Sequence, residues 1–219
     1  MNPEPGLRER KKLRTRELIA ETARRLFVER GFDAVPVADV ARAAEVSDAT
    51  VFNYFPTKED LVFYGMEAFE TELLDAVSSR PAGEPVVKAF GRFVLRPRGL
   101  LAAEDDGSAD LLRSVSLMIA ASPALRARQQ VIFARYTESL AELIAADTGA
   151  DPGDLRPWVT AHALMGVHEA LVSFVHAWLA DGVPDRGRLA REVRNHGRQA
   201  LKLLEGGLAG CATRPAARL

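Results

Sequence analysis

Arg8, Arg10, Lys11, Lys12, Arg14 and Arg16 put six cations into nine residues, with Glu9 the one acid among them. Such a run suits phosphates, and binding through it would weaken steeply with salt. It also fits a solvated arm. Against the whole chain it stands out, because 29 Lys plus Arg oppose 30 Asp plus Glu for a net charge of −1. Other reactive chemistry is thin. His162, His168 and His176 fall on one predicted helix. The pair nearest a common face, His162 and His176, would lie about 21 Å apart at 1.5 Å per residue, too far to share a metal ion. Cys211 is the single cysteine, so there is no disulfide framework and no cysteine-based zinc site. No phosphate-binding Gly loop and no nucleophile elbow is present. These readings exclude an enzyme, and neither a cofactor nor a metal is expected.

The elements that must carry the basic run are helical. The chain has 219 residues, 47% hydrophobic and 27% charged, a globular composition long enough to bury about 70% of its unfolded surface. No run of 18 apolar residues and no signal peptide is evident, which points to the cytoplasm and away from a membrane. Strand alternation is nearly absent. The predicted class is all-α, with nine helices near 7–30, 36–44, 48–55, 58–80, 85–95, 109–121, 123–147, 154–180 and 185–208. Ile19, Ala23, Leu26 and Phe27 stripe the first, which Gly31 ends. Pro36 suits the opening turn of the second. Ser47 caps the third, which stops before Pro56. The fourth starts behind Thr57, with Asp60 completing a weak capping box and Val62, Met66, Phe69, Leu73 and Val77 on one face. Ser122-Pro123 opens the seventh. The segment 96–107 reads as a loop and 209–219 as a tail.

Residues 36–56 hold the most informative pattern. Two short helices meet across Ala44-Glu45-Val46-Ser47, and Val40, Ala44, Val46, Val51 and Tyr54 fall where a helix-turn-helix fills its small core. In such a unit the second helix lies in the DNA major groove. A helical hairpin within a core would show the same spacing, and the adjacent basic run favours DNA.

Longer stretches carry a resemblance. Ala23-Arg24-Arg25-Leu26-Phe27-Val28-Glu29-Arg30-Gly31-Phe32, Val37-Ala38-Asp39-Val40-Ala41-Arg42-Ala43-Ala44-Glu45-Val46-Ser47 and Thr50-Val51-Phe52-Asn53-Tyr54-Phe55-Pro56-Thr57-Lys58-Glu59-Asp60-Leu61 are similar to the TetR family of bacterial transcriptional regulators. The resemblance implies a three-helix DNA-binding domain at 1–57, a ligand-binding and dimerisation domain at 58–208, and a repressor that holds a palindromic operator as a homodimer. It implies that Lys12, Arg14, Arg16, Ser47, Asp48, Ala49, Thr50, Asn53, Tyr54 and Lys58 lie at the DNA. Thr50 and Tyr54 would meet phosphates through hydroxyls, Asn53 would read adenine, and Lys58, opening the fourth helix, would hold a phosphate. Phe52 and Phe55 would pack. Two positions depart from the family: Val35-Pro36 replaces a usual Thr pair, and Glu45 stands where Gly is usual. A positive φ at Glu45 would cost roughly 1 kcal/mol.

Leu164, Val167, Leu171, Phe174 and Trp178 step by 3, 4, 3, 4, and Leu189, Val193, His196, Ala200, Leu203 and Gly207 step by 4, 3, 4, 3, 4. These seams suit near-antiparallel packing. The resemblance implies a dimer interface formed by Leu164, Val167, Leu171, Phe174, Trp178, Leu189, Val193, Ala200 and Leu203; packing within the chain is the competing reading. It also implies an effector pocket among Phe63, Met66, Phe69, Phe90, Phe93, Met118, Phe133, Tyr136, Met165 and His168. These walls suit an apolar or aromatic ligand, not a highly charged one. Ser122-Pro123-Ala124-Leu125-Arg126, Asp151-Pro152 and Trp178 look similar to the C-terminal domain of mycofactocin-type regulators, which implies an acyl-CoA-like effector. A DNA-architectural protein without an effector shares the N-terminal features; ligand-dependent release from DNA, or a closed apolar cavity, distinguishes the two.

Overall fold

The computed structural model describes residues 6–98, 106–182 and 185–207, and among them every regular element is helical. α1 (Leu7–Arg30) buries Ile19, Ala20, Ala23, Leu26 and Phe27 and leaves residues 7–14 exposed. Gly31, at φ 85°, donates its N–H to the Phe27 carbonyl at 2.9 Å, and Phe32 returns edge-on to Phe27. α2 (Val37–Ala43) begins behind Pro36 with no side-chain cap, as the missing Thr pair foretells. Glu45 adopts φ 56°, the only positive φ outside glycine among the described residues. The turn persists because Val46 N–H reaches Ala41 O at 2.9 Å and Ala44 N–H reaches Val40 O at 2.9 Å. α3 (Asp48–Tyr54) is capped by Ser47, whose Oγ accepts the Thr50 N–H at 3.1 Å. Phe55 turns extended ahead of Pro56 and ends it.

The predicted continuous helix over 58–80 does not form. A 3-10 turn covers Glu59–Leu61, Gly65 sits at φ 94°, and α4 starts only at Met66 (Met66–Ser78). The capping box is real: Asp60 Oδ2 accepts from Thr57 N–H at 3.0 Å and from Thr57 Oγ1 at 2.8 Å. It caps a single turn, however. Val62, Phe63 and Tyr64 are weak helix formers and Gly65 a breaker, while the Tyr136 hydroxyl donates to the Met66 carbonyl and pins the new start.

The remaining helices are α5 (Val86–Val94), α6 (Asp106–Ala121), α7 (Pro123–Thr148), α8 (Arg156–Ala180) and α9 (Arg186–Gly206). α6 starts three residues before its predicted position, and part of the predicted loop, like the 209–219 tail and Cys211, lies outside the described residues. Ser122 caps α7 by accepting the Leu125 N–H at 3.4 Å, and Asp185 caps α9 by accepting that of Arg188 at 3.1 Å. α8 is long and apolar enough to cross a membrane by length and composition alone. Here it packs against α6, α7 and α9. One buried core runs from Ile19 in α1 to Leu201 in α9. α1 lies against α6, and the 3-10 turn lies against both α1 and α7. The N-terminal helices are therefore seated on the C-terminal bundle through elements that also surround its cavity.

Candidate nucleic-acid interface and effector cavity

The Ser47 cap sets α3 so that Val51 is buried while Asp48, Ala49, Phe52 and Asn53 are exposed and Thr50 and Tyr54 half-exposed. Thr50 Oγ1 lies 2.8 Å from Ser47 Oγ, so these two hydroxyls engage each other. The outward face offers an amide at Asn53 and, beside it, an aromatic ring at Phe52, which is 49% exposed. Packing was expected of both phenylalanines, and only Phe55 packs, edge-on to Tyr64. Phe52 thus joins the candidate contact face; an apolar ring there can meet a thymine methyl. Its alternation with buried Val51 is a signal the sequence carries.

Lys12 and Arg14 are exposed on the free turns of α1, with Arg8, Arg10 and Lys11. Arg16 is not part of that exposed arm: its guanidinium lies 5.4 Å from the Phe55 ring centre and 5.3 Å from that of Tyr64. Lys58 differs from its predicted role too. With no helix beginning at residue 58, its Nζ turns back to donate to Phe32 O at 2.6 Å and stands 4.3 Å from the Phe32 ring centre. Burial pulls its pKa below the ordinary lysine value, against the pull of Asp33 and Glu59. Both cations lock the base of the DNA-facing unit instead of extending from it.

Behind that unit lies an open cavity of about 720 Å³, bounded by α1, the 62–66 turn, α4, α6, α7 and α8. Met66, Phe69, Phe133 and His168 line it, as predicted from sequence. Phe63 and Tyr136 face a separate pocket of about 210 Å³ on the other side of Met66, and Met118 borders a groove between α1 and α6. Phe90, Phe93 and Met165 are corrected to core: each is nearly or fully buried, and Phe93 meets Phe69 edge-on at 5.1 Å from behind the wall. The imidazole of His168 stacks on Phe69 at 4.6 Å and meets Phe133 edge-on at 5.3 Å. Burial, aided by the Arg98 charge, pushes its pKa down to about 4. Four polar groups missed by the sequence reading complete the wall: Arg24, Glu72, Arg98 and Gln129. Among the described residues no cluster of His, Cys, Asp and Glu is arranged to hold a metal.

The His168 shift carries a pH prediction. An imidazole whose folded pKa is depressed from 6.5 to about 4 stabilises the fold fully above pH 6.5 and loses that contribution as pH falls through the window down to about 4. The loss is on the order of 3 kcal/mol, at about 1.4 kcal/mol per pKa unit. Melting temperature measured from pH 7 to 4 should fall, and His168→Phe should flatten that dependence. An equal slope in both proteins would assign the acid sensitivity elsewhere.

The α8 seam points inward. Leu164, Val167, Leu171 and Leu189 are buried within the chain's own core, so they are corrected from interface to core. Phe174, Trp178, Val193 and Ala200 are half-exposed and Leu203 is 48% exposed. The outward face of α8 includes Gly166, Glu169, Ala170, Ser173 and Ala177, all exposed, and runs back through exposed His162 and Val159 toward the start of the helix. A Cβ placed on Gly166 would meet nothing within 4 Å. Small side chains at this spacing let a second helix approach closely.

Comparison with known proteins agrees with this layout. Residues 19–64 match the family described as bacterial regulatory proteins, tetR family, and residues 81–209 match the MftR C-terminal domain. The transcriptional regulator TcmR of Streptomyces glaucescens is 32% identical over 160 residues, spanning 70% of this chain and 69% of that protein. NalD of Pseudomonas aeruginosa, the secondary repressor of the MexAB-OprM multidrug efflux pump, superposes with a TM-score of 0.55 at 20% identity over 85% of this chain and 96% of its own. Thermus thermophilus FadR, a repressor solved with lauroyl-CoA, gives a TM-score of 0.50 at 24% identity, covering 93% and 98%. The two structures share the fold.

Proposed function

The chain belongs to the TetR family of bacterial transcriptional regulators, and from that premise we propose that it is a one-component cytoplasmic repressor that holds a palindromic operator as a homodimer and releases it when a small organic effector enters the cavity at Met66. Residues 1–57 form the DNA-binding unit and 58–208 the effector and dimer unit. The observation that carries the reading is the position of one short segment. The turn 62–66 is joined to the DNA-facing helices by the single 3-10 turn Glu59–Leu61, and its end at Met66 is wall to the 720 Å³ cavity. A molecule filling that space presses on the joint between the two units.

Symmetry sets the operator: two α3 helices related by a two-fold axis require half-sites about one helical turn apart. Asn53 reads a base while Lys12 and Arg14 serve phosphates. Asn53→Ala should therefore cost about 10-fold on the cognate operator and almost nothing on scrambled DNA, whereas Lys12→Ala should weaken both alike and flatten the salt slope by about 1. Fluorescence anisotropy on the two duplexes at several salt concentrations reads both. Equal losses on both duplexes for Asn53→Ala would remove it from the base-reading role.

A further inference from the structure

The cavity wall carries a charge pattern that an apolar ligand does not use. Arg24 and Arg98 face the cavity, and among the described residues Glu72 is the one carboxylate that lines it. Arg24 has its acidic partner, Glu21, outside the lining, exposed and 2.6 Å away. Arg98 is better placed for a ligand. It follows α5, its Nη1 donates to Phe93 O, and its guanidinium lies over the Phe93 ring at 3.6 Å, so its plane is fixed before anything binds. Its other recorded contact is with α4: Nε donates to Glu72 Oε2 at 3.1 Å. Below it the wall turns aromatic, with Phe69, Phe133 and His168.

We infer that Arg98 is the anion-recognition residue of the effector cavity, and that the effector is an organic acid with an apolar body whose anionic head displaces Glu72 from Arg98. The inference deepens the effector reading and rests on it. A guanidinium held over a ring offers a carboxylate or phosphate a two-point fork, which a single Nε contact to Glu72 leaves underused. His168, neutral above about pH 4, adds no charge, so the positive field at the head comes from the arginines. Its ring, with Phe69 and Phe133, faces the body. His168 and Val172 also line a second, largely apolar cavity of about 210 Å³ between α5, α6, α8 and α9. Exchange at Arg98 has a mechanical consequence. Glu72 belongs to α4, so freeing it removes a tether between α4 and the segment after α5 just as the ligand fills the space beside Met66.

The test is isothermal titration calorimetry on the full chain with five probes: dodecanoate, dodecanol, 2-naphthoate, 2-naphthol and lauroyl-CoA. At least one acid should bind ten-fold or more tightly than the alcohol of the same shape, or lauroyl-CoA should bind where dodecanol does not. Arg98→Gln should abolish that preference. Glu72→Gln breaks the same ion pair but should tighten anion binding several-fold, because a competing carboxylate is gone. A purely structural role for the pair predicts the same sign for both variants. Preference for dodecanoate or naphthoate places a carboxylate at Arg98, and preference for lauroyl-CoA alone places the coenzyme phosphates there. Acids and alcohols binding equally, Arg98→Gln keeping the preference, or both variants shifting affinity in the same direction overturns the inference and leaves an effector site for neutral ligands. No binding by any of the five overturns the effector reading itself.

Discussion

Ala170→Arg should yield a folded monomer that has lost its operator. Ala170 is exposed at the middle of the outward α8 face, with Gly166 one turn before it and Ser173 and Ala177 after it. The added side chain meets solvent in the monomer, so secondary structure and melting should hardly change. In a two-fold interface the same face meets itself, and two guanidinium groups would lie close together with no carboxylate placed for them except Glu169. Losing the second half-site removes the effective concentration that makes bivalent binding tight, commonly a factor of 10² to 10⁴. Sedimentation velocity and anisotropy on the full palindrome read the two effects separately. An intact dimer with full operator affinity would move the interface off this face. Leu171→Glu is a poor substitute, because Leu171 is buried within the chain and a charge there would unfold it at a cost of several kcal/mol.

That contrast shows where the sequence is informative. A 3-4-3-4 seam along α8 identifies a packed helix face, but the same spacing serves an intrachain neighbour and a partner chain. Leu164, Val167 and Leu171 went to the chain's own bundle, and the middle of the outward face carries the small residues Gly166, Ala170, Ser173 and Ala177, which no apolar periodicity marks. Local signals fared better. Ser47, Ser122 and Pro123 cap where their chemistry says, and the replacement of the usual glycine by Glu45 marked a positive φ that the turn retains. The fourth helix misled because Val62, Met66 and Phe69 keep helical spacing across Gly65. Gly65 permits the break, and tertiary contacts fix it: the Tyr136 hydroxyl on the Met66 carbonyl and the Lys58 ammonium on the Phe32 carbonyl join residues 70 and 26 positions apart. Arg98 escaped notice for a related reason. It lies between Pro97 and Gly99 in a segment with no periodicity, and only the fold brings Glu72 and Phe93 to it.

Met66→Trp should leave operator binding intact and abolish its response to effector. Met66 is half-buried at the first turn of α4, between the 720 Å³ cavity and the smaller pocket that borders Arg16, Phe55 and Tyr136. A ligand can shift an equilibrium only by its differential affinity for the two states. The proposed differing element is the joint at Gly65, a glycine at φ 94° where the chain turns from the 3-10 turn into α4. In this structure Tyr136 holds the Met66 carbonyl and Phe69 stacks on Tyr136 at 5.5 Å, so α4 is fixed to α7. On the proposed reading, a ligand body entering beside Phe69 and Met66 would push α4 off that seat. The displacement would pass through residues 62–65 to Leu61 and Phe55, which are buried in the same core as α1. The two α3 helices of a dimer would then no longer match half-sites about 34 Å apart. Coupling of this kind is typically 1 to 3 kcal/mol, or a 5- to 150-fold loss of operator affinity. An indole at position 66 occupies the space the ligand needs without touching the carbonyl that Tyr136 binds. Operator affinity with and without the tightest-binding of the five calorimetric probes should differ at least 5-fold for the wild type and stay constant for Met66→Trp. Release that persists in the variant at undiminished ligand affinity would take Met66 out of the transmission path, since the cavity would then act on α4 from beyond its first turn.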